Sequence, residues 1–369
     1  MKMFTAKRAA LLILVAGIIF FVSSLLLNDT RGQKEPDDPN IPEEEQQALD
    51  KFFLNLKSGG PSKDGIPPIE NPNYLSITDA DENIDDNEVV FVVESSDGVF
   101  IYRQRILAWH EIVNETFSGE KMSITYCPLT GSAVGFKGAV SRGETTFGTS
   151  GKLLNSNLVM YDRLTGSYIP QLLGKAINGN LKGERLDEFP IIWTRWFKAK
   201  SFYEEAQVLS EKTGFIRNYR GDPYGSYLEK NNYYDSGGAL FPVMHQDNRF
   251  EPKEVVMAGR VNETPFAILK QKIRSEKVMN LELENIPLVA LYDGELDTVR
   301  IFRRMDQDQT LTFRFENGDF LDENTMSIWN ERGAAVEGQQ QGAQLEAINS
   351  FDVMWFAWVA FHPETEVYE

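Results

Sequence analysis

One cysteine, Cys127, and three histidines are the only thiol and imidazole groups in 369 residues. A lone thiol cannot close an internal disulfide, and so few Cys and His fit poorly with the clustered ligands of a structural zinc site. Basic charge is also short: 37 Lys and Arg stand against 55 Asp and Glu, a formal net charge of −18. Without a basic patch there is no counterion release to drive binding to nucleic acid or to an anionic lipid surface. Phosphate-binding loops are missing too. "GFKGAVSRGETTFGTSG" has glycines but neither the phosphate-loop lysine nor the dinucleotide spacing, and "TSGKLL" lacks the preceding glycine. "ADENIDDN" is acidic but lacks the central Gly and terminal Glu of an EF-hand, and reads as a solvated turn.

What is present begins with one long apolar run. Lys2, Lys7 and Arg8 precede "AALLILVAGIIFFVSSLLL", residues 9–27, an uncharged stretch about as long as a bilayer core is thick. Positive charge on the short side keeps residues 1–8 in the cytoplasm. The expectation is a single-pass signal anchor at 9–27 in the cell membrane, its C-terminal part extracytoplasmic and the membrane its one partner read from sequence. No small-x-small site follows the run, which disfavours cleavage, and no nearby Cys could carry a lipid. Residues 28–75, rich in Pro and acid, are expected to be an extended linker, with "ALDKFFLNLKSG" as one short amphipathic helix. Outside the cytoplasm an unpaired thiol is either buried and inert or kept for its chemistry.

The remainder repeats itself. At a shift of 166, "VVFVVESSDGVF" from Val89 falls on "VVMAGRVNETPF" from Val255, with Asn114 on Asn280 and Tyr126 on Tyr292. At 160, Asp162 meets Asp322 and Ser167 meets Ser327; "GKAINGNLKGERL" then falls on "GAAVEGQQQGAQL", and "WTRW" at Trp193 on "WFAW" at Trp355. Short β-branched and aromatic runs bounded by Gly, Asp and Ser read as strands, and "RILAWHEIVNE" as a short helix. "PIIWTRWFKAKSF" and "DVMWFAWVAF" read as helices ending each copy, with a buried strand as the alternative for either. The expected fold is α+β and β-rich: two diverged copies of one β-rich repeat packed as a pseudo-dimer behind the transmembrane helix. Residues 76–210 are the first copy, 251–369 a degenerate second, and 211–250 a Tyr/Gly-rich connector folded over the first.

The repeat offers a comparison within one chain. His110 falls on Glu276 and Cys127 on Asp293, while their neighbours Asn114 and Tyr126 are kept. The reactive side chains thus occur in one copy only, and carboxylates at the matching places point to a polar, partly open site. His362 falls on Tyr203 at a repeated position and reads as structural; His245 lies in the connector with no counterpart. Three chemistries fit. Cys127, His110, His245 and Met160 are the ligand types of a mononuclear thiolate–copper centre, though scattered along the chain. Alternatively Cys127 is a nucleophile with His110 as base, the ring oriented by Asn114 or Glu111. The third is a non-catalytic binding or scaffold module. The copper site in the first repeat is the leading expectation.

"LAWHEIVNE", "TYCPLTGSA", "TSGKLLNSNLVMYDR", "GSYIPQLLGKAINGNLKG", "FPVMHQDNRFEPKEVV" and "WFAW…FHPETEVY" together resemble a prokaryotic family known as domain of unknown function 3179. The resemblance spans most of residues 86–369 and brings no established reaction. It implies that the His110, Asn114, Cys127 and Met160 segments belong to the family's pattern. Many members resemble this stretch but read Cys-Pro-Leu-Cys where this chain has Cys127-Pro128-Leu129-Thr130, which rules out a redox disulfide or a two-Cys zinc knuckle here. The aromatic of the family's "SxWxQ" segment is displaced to Tyr168, with Pro170 before Gln171.

Overall fold

Continuous apolar runs become strands covered on both faces, and "VVFVVES" is the clearest case. In the strand Val89–Ser95 the residues Val89, Phe91 and Val93 point into one apolar cluster, and Val90 and Val92 into another. The computed structural model describes residues 41–306 and 309–369, and within them Glu44–Glu369 forms one unit. The architecture is α+β and β-rich. Apart from the 12-residue helix Glu43–Leu54, the α-helices of the described residues have five to seven residues each.

Three sheets of four or five strands, with one small two-stranded ribbon, make up the first half. One orders Ile192–Arg195, Val89–Ser95, Gly98–Arg103, Gln207–Leu209 and Tyr74–Leu75; the next orders Glu188–Phe189, Ser132–Lys137, Glu120–Cys127 and Ile112–Phe117. The third orders Lys57–Ser58, Phe147–Leu154, Asn157–Asp162 and Tyr168–Pro170. The same series of elements is met again beyond Val255. Ser350–Met354, Val255–Val261, Thr264–Leu269 and Glu366–Tyr368 form one sheet; Val278–Leu283, Ile286–Asp293, Thr298–Arg303 and Ala347–Ile348 form another. In both halves the last short strand runs parallel to the second, Gln207 beside Phe100 and Glu366 beside Phe266. A short helix follows the first hairpin each time, Gln104–His110 and Lys270–Glu276.

Matched residues make matched bonds. The Asn114 side chain donates to Phe147 O at 2.9 Å and accepts from Phe147 N at 3.2 Å; Asn280 does both with Phe313, at 2.7 and 2.9 Å. Two turns with positive φ at both central residues, Ser118–Gly119 and Glu284–Asn285, close the equivalent hairpins with the twist that adjacent strands need.

Three expectations are corrected. The segments expected as terminal helices each begin as a strand, and the helices start at Trp196 and Trp355, so those two tryptophans correspond and Trp193 lies level with Asp352. Asn114 lies in the strand Ile112–Phe117 rather than on a helical face with His110, because the helix stops at His110 and Glu111 turns to φ +59°. The linker expected at 28–75 is part of the fold over its later residues. Lys57 and Ser58 pair with Leu153 and Lys152, and Ile69 is fully buried with its N–H on Ile112 O at 2.9 Å. An apolar residue among acids and prolines had a place in the core. The expected span 9–27 lies outside the described residues; among those described, no helix is long and apolar enough to cross a membrane.

Candidate functional site

Cys127 ends the strand Glu120–Cys127, where Pro128 removes the next ladder donor and the chain turns, with Thr130 N on Cys127 O at 3.3 Å. The thiol is 1% exposed; its sulfur accepts the Leu158 N–H at 3.3 Å and faces Ser156 O at 3.9 Å. Burial pushes it up to about 11, and the charge of Glu111 adds to the push. At neutral pH it is a protonated thiol, buried among Ser156, Leu158 and Thr130. Thr130, where many members of the resembling family carry their second Cys, is fully buried. Its hydroxyl accepts from Asn157 Nδ2 at 3.0 Å and meets Ser132 Oγ at 2.8 Å, in a network completed by Gln171.

His110 closes its helix with both ring nitrogens engaged. Nδ1 meets Pro67 O at 2.7 Å and therefore carries the proton; Nε2 is left to accept from the Tyr219 hydroxyl at 2.6 Å, which in turn contacts Thr213 Oγ1 at 2.6 Å. Burial holds the ring below the usual histidine range, so the neutral form fits. A ring with both nitrogens engaged and no bond to sulfur neither ligates a metal beside Cys127 nor takes its proton. Met160 is buried in the strand Asn157–Asp162 opposite Thr149 and Ile169, and His245 sits half-buried in the connector. Among the described residues no three His, Cys, Asp or Glu side chains gather where they could hold a metal ion. The copper set expected from sequence is therefore not assembled, and Cys127 and His110 serve separate surroundings. Asn114 likewise bonds Phe147 and Glu70 rather than the imidazole. His362 is buried against Trp358 and Arg260, in keeping with a structural role.

The residue between helix and strand was read only as a helper of His110, and it is the group that faces open space. Glu111 is 7% exposed and lines a cavity of about 190 Å³. Its carboxyl forms no hydrogen bond or ion pair among the described residues, and burial raises it to about 8. Tyr224, from the connector, lines the same cavity, and the charges of Glu111 and Cys127 act on its hydroxyl. Leu129, Leu153, Leu158 and Phe241 supply apolar wall, while Lys152 is exposed along it. The remaining wall is the segment expected to be linker: Thr149 Oγ1 bonds Ile66 O at 2.7 Å and Asp64 N bonds Thr149 O at 2.8 Å. Gly151 is required where this segment crosses, since its φ is +71° and a Cβ there would sit 2.3 Å from Pro61 O.

The profile of the family described as "Protein of unknown function (DUF3179)" matches residues 63–365. The chain belongs to that family. No curated protein and no solved structure matches it. The DUF3179 span takes in most of the cavity wall, from Ile66 and Glu111 through Thr149 and Leu158 to Tyr224 and Phe241, while Gly59 and Pro61 precede it. One signal in the sequence pointed to Glu111: a lone carboxylate inside "ILAWHEIV", an otherwise apolar and aromatic stretch apart from His110.

Proposed function

We propose that this protein is a membrane-anchored, extracytoplasmic binding protein that holds a small organic amine in the Glu111 cavity. The observation that carries the reading is the Glu111 carboxyl, buried, without a protein partner and beside an apolar cavity, since an unsatisfied buried polar group calls for an explanation and a ligand in the cavity supplies one. An alkylammonium meets both needs of the site: its charge pairs with the carboxylate, and its chain covers Leu129, Leu153 and Leu158. The acidic balance of the chain favours cations over anions in the same way. The anchor rests on the apolar run 9–27 and the basic residues before it. Two diverged copies packed as a pseudo-dimer are supported by the shared order of elements and the paired asparagine bonds.

Calorimetry on the full chain in a mild non-ionic detergent, with n-pentylammonium as probe and n-pentanol as control, tests the binding. Pentylammonium is expected to bind, pentanol at least about tenfold more weakly, and Glu111→Gln to remove the preference. Because the carboxyl must ionise to pair, affinity should rise roughly fiftyfold between pH 6 and 8, following the ionised fraction of a group at about 8. Equal binding of the alcohol, or amine binding indifferent to Glu111→Gln, overturns the proposal. The cysteine-enzyme reading differs in one readout: it requires a rapidly alkylated thiol.

A further inference from the structure

The loop of residues 213–221, at the start of the connector, is pinned at both ends to the short helix Gln104–His110. At its near end the Tyr219 hydroxyl lies between His110 Nε2 and Thr213 Oγ1, 2.6 Å from each, and the Thr213 hydroxyl accepts the Phe215 N–H at 3.3 Å. At its far end Trp109 Nε1 donates to Gly221 O at 3.0 Å and Arg105 Nη1 to Arg220 O at 3.2 Å. Gly214 makes the turn at φ +86°. So braced, the loop still presents apolar side chains to solvent. Ile216 is 96% exposed and Phe215 is 40% exposed, although the Phe215 ring rests 5.3 Å from that of His110.

Cations flank the two. Lys212, Arg217 and Arg220 are all exposed, and none enters an ion pair among the described residues. The nearby acids are taken: Glu211 by Arg103 and Asp222 by Gln104, each at 2.7 Å. Composition hid this cluster, because three cations disappear in a formal net charge of −18. Two side chains offer far too little area for a stable protein interface, which takes about 800 Å² from each partner. They suit a bilayer, where apolar groups enter the acyl boundary and cations meet anionic headgroups. We infer that the Phe215–Ile216 tip docks on the anionic lipid surface of the membrane that holds the anchor. The inference rests on the anchor in the proposed function and not on the amine site: a tethered tip is held at high effective concentration, so a contact too weak to recruit a free protein still forms.

The test is the full chain reconstituted into vesicles of phosphatidylcholine, alone or mixed with phosphatidylglycerol. Ile216→Cys carries an environment-sensitive fluorophore, and Met326→Cys carries the same label on an exposed residue of the second half. The wild type, with its one buried thiol, gives the labelling background. Spin-labelled lipid is expected to quench the label at 216 in the anionic vesicles and to leave the label at 326 bright. Replacing Lys212, Arg217 and Arg220 together by Gln should lower the ratio of docked to free tip at least about tenfold, and high salt should lower it in the same direction. All these positions are exposed, so the variants keep the fold. A label at 216 that stays in water, or that is quenched equally in neutral vesicles or in the triple Gln variant, overturns the inference and leaves the tip to a protein partner. Flotation of the vesicles reads the anchor separately: a chain that floats with an unquenched tip refutes the docking alone, and one that does not float refutes the anchor with it.

Discussion

Replacing Glu111 by Gln should stabilise the protein, and by more as the pH rises. The carboxyl moves from 4.5 in an open chain to about 8 in the fold, through burial without a partner. The folded state therefore binds the proton more tightly than the unfolded state does. Below about pH 4.5 both states are protonated and the group is neutral to stability. Above that, the unfolded state ionises first, so stability falls with rising pH until the folded group ionises near pH 8. At about 1.36 kcal/mol per unit, the loss is about 3 kcal/mol at pH 7 and about 5 kcal/mol once both states are ionised. Gln has the same shape and no charge, so the loss vanishes in the variant. Urea denaturation of both proteins from pH 5 to 8.5 measures it. The variant should gain on the wild type steadily with pH and level off above pH 8. Glu115, also raised by burial to about 8, is common to both proteins and cancels in the difference. Parallel stability curves would refute the reasoning, because they would mean that Glu111 is solvated or paired in the native protein.

Cys127 should resist iodoacetamide at pH 7.5 in the folded protein, reacting at least about a hundredfold more slowly than after denaturation, since a thiol at about 11 yields little thiolate. A rate equal to that of the unfolded chain would revive the cysteine-enzyme reading. Tyr219→Phe removes the donor to His110 Nε2 and should cost about 1–3 kcal/mol in urea midpoints while leaving pentylammonium affinity intact. Asn114→Ala and Asn280→Ala should each cost about 1–3 kcal/mol and add within about 0.5 kcal/mol in the double variant, because they brace separate hairpins and share no partner.

The β-rich class and the short helix before Cys127 were legible because their signals are local: apolar runs, turn residues and a lone helical period. The place of "IPPIENP" was not. Composition marks it as linker, yet Ile69 is swallowed by the core beside Val113, bonded to Ile112 O and Asn114 N, and Pro67 offers its carbonyl to His110, partners that lie far along the chain. The site misled for a different reason. Side-chain chemistry singled out Cys127 and His110 because they occur in one half only, but it could not show that the imidazole turns toward Pro67 and Tyr219 while the sulfur turns toward Leu158. Glu111 left one faint mark, its apolar and aromatic neighbours in sequence, and its role emerges only when the backbone puts the residue at positive φ and closes walls around it.

The second half shows how the same fold satisfies those positions from within. Lys277 stands at the place of Glu111 with the same left-handed backbone, φ +73°, yet its ammonium bonds Arg274 O at 2.8 Å and covers the Tyr292 ring at 4.4 Å. Asp293 stands at the place of Cys127, fully buried, and is satisfied by Leu296 N at 2.9 Å and by Arg300 at 3.3 Å. The backbone strain is thus architectural, shared by both halves, whereas the unmet carboxyl belongs to the first alone. A fold that can pair both positions internally, as it does at Lys277 and Asp293, has no structural need to leave Glu111 open, and that difference is what makes a ligand the simplest explanation for it.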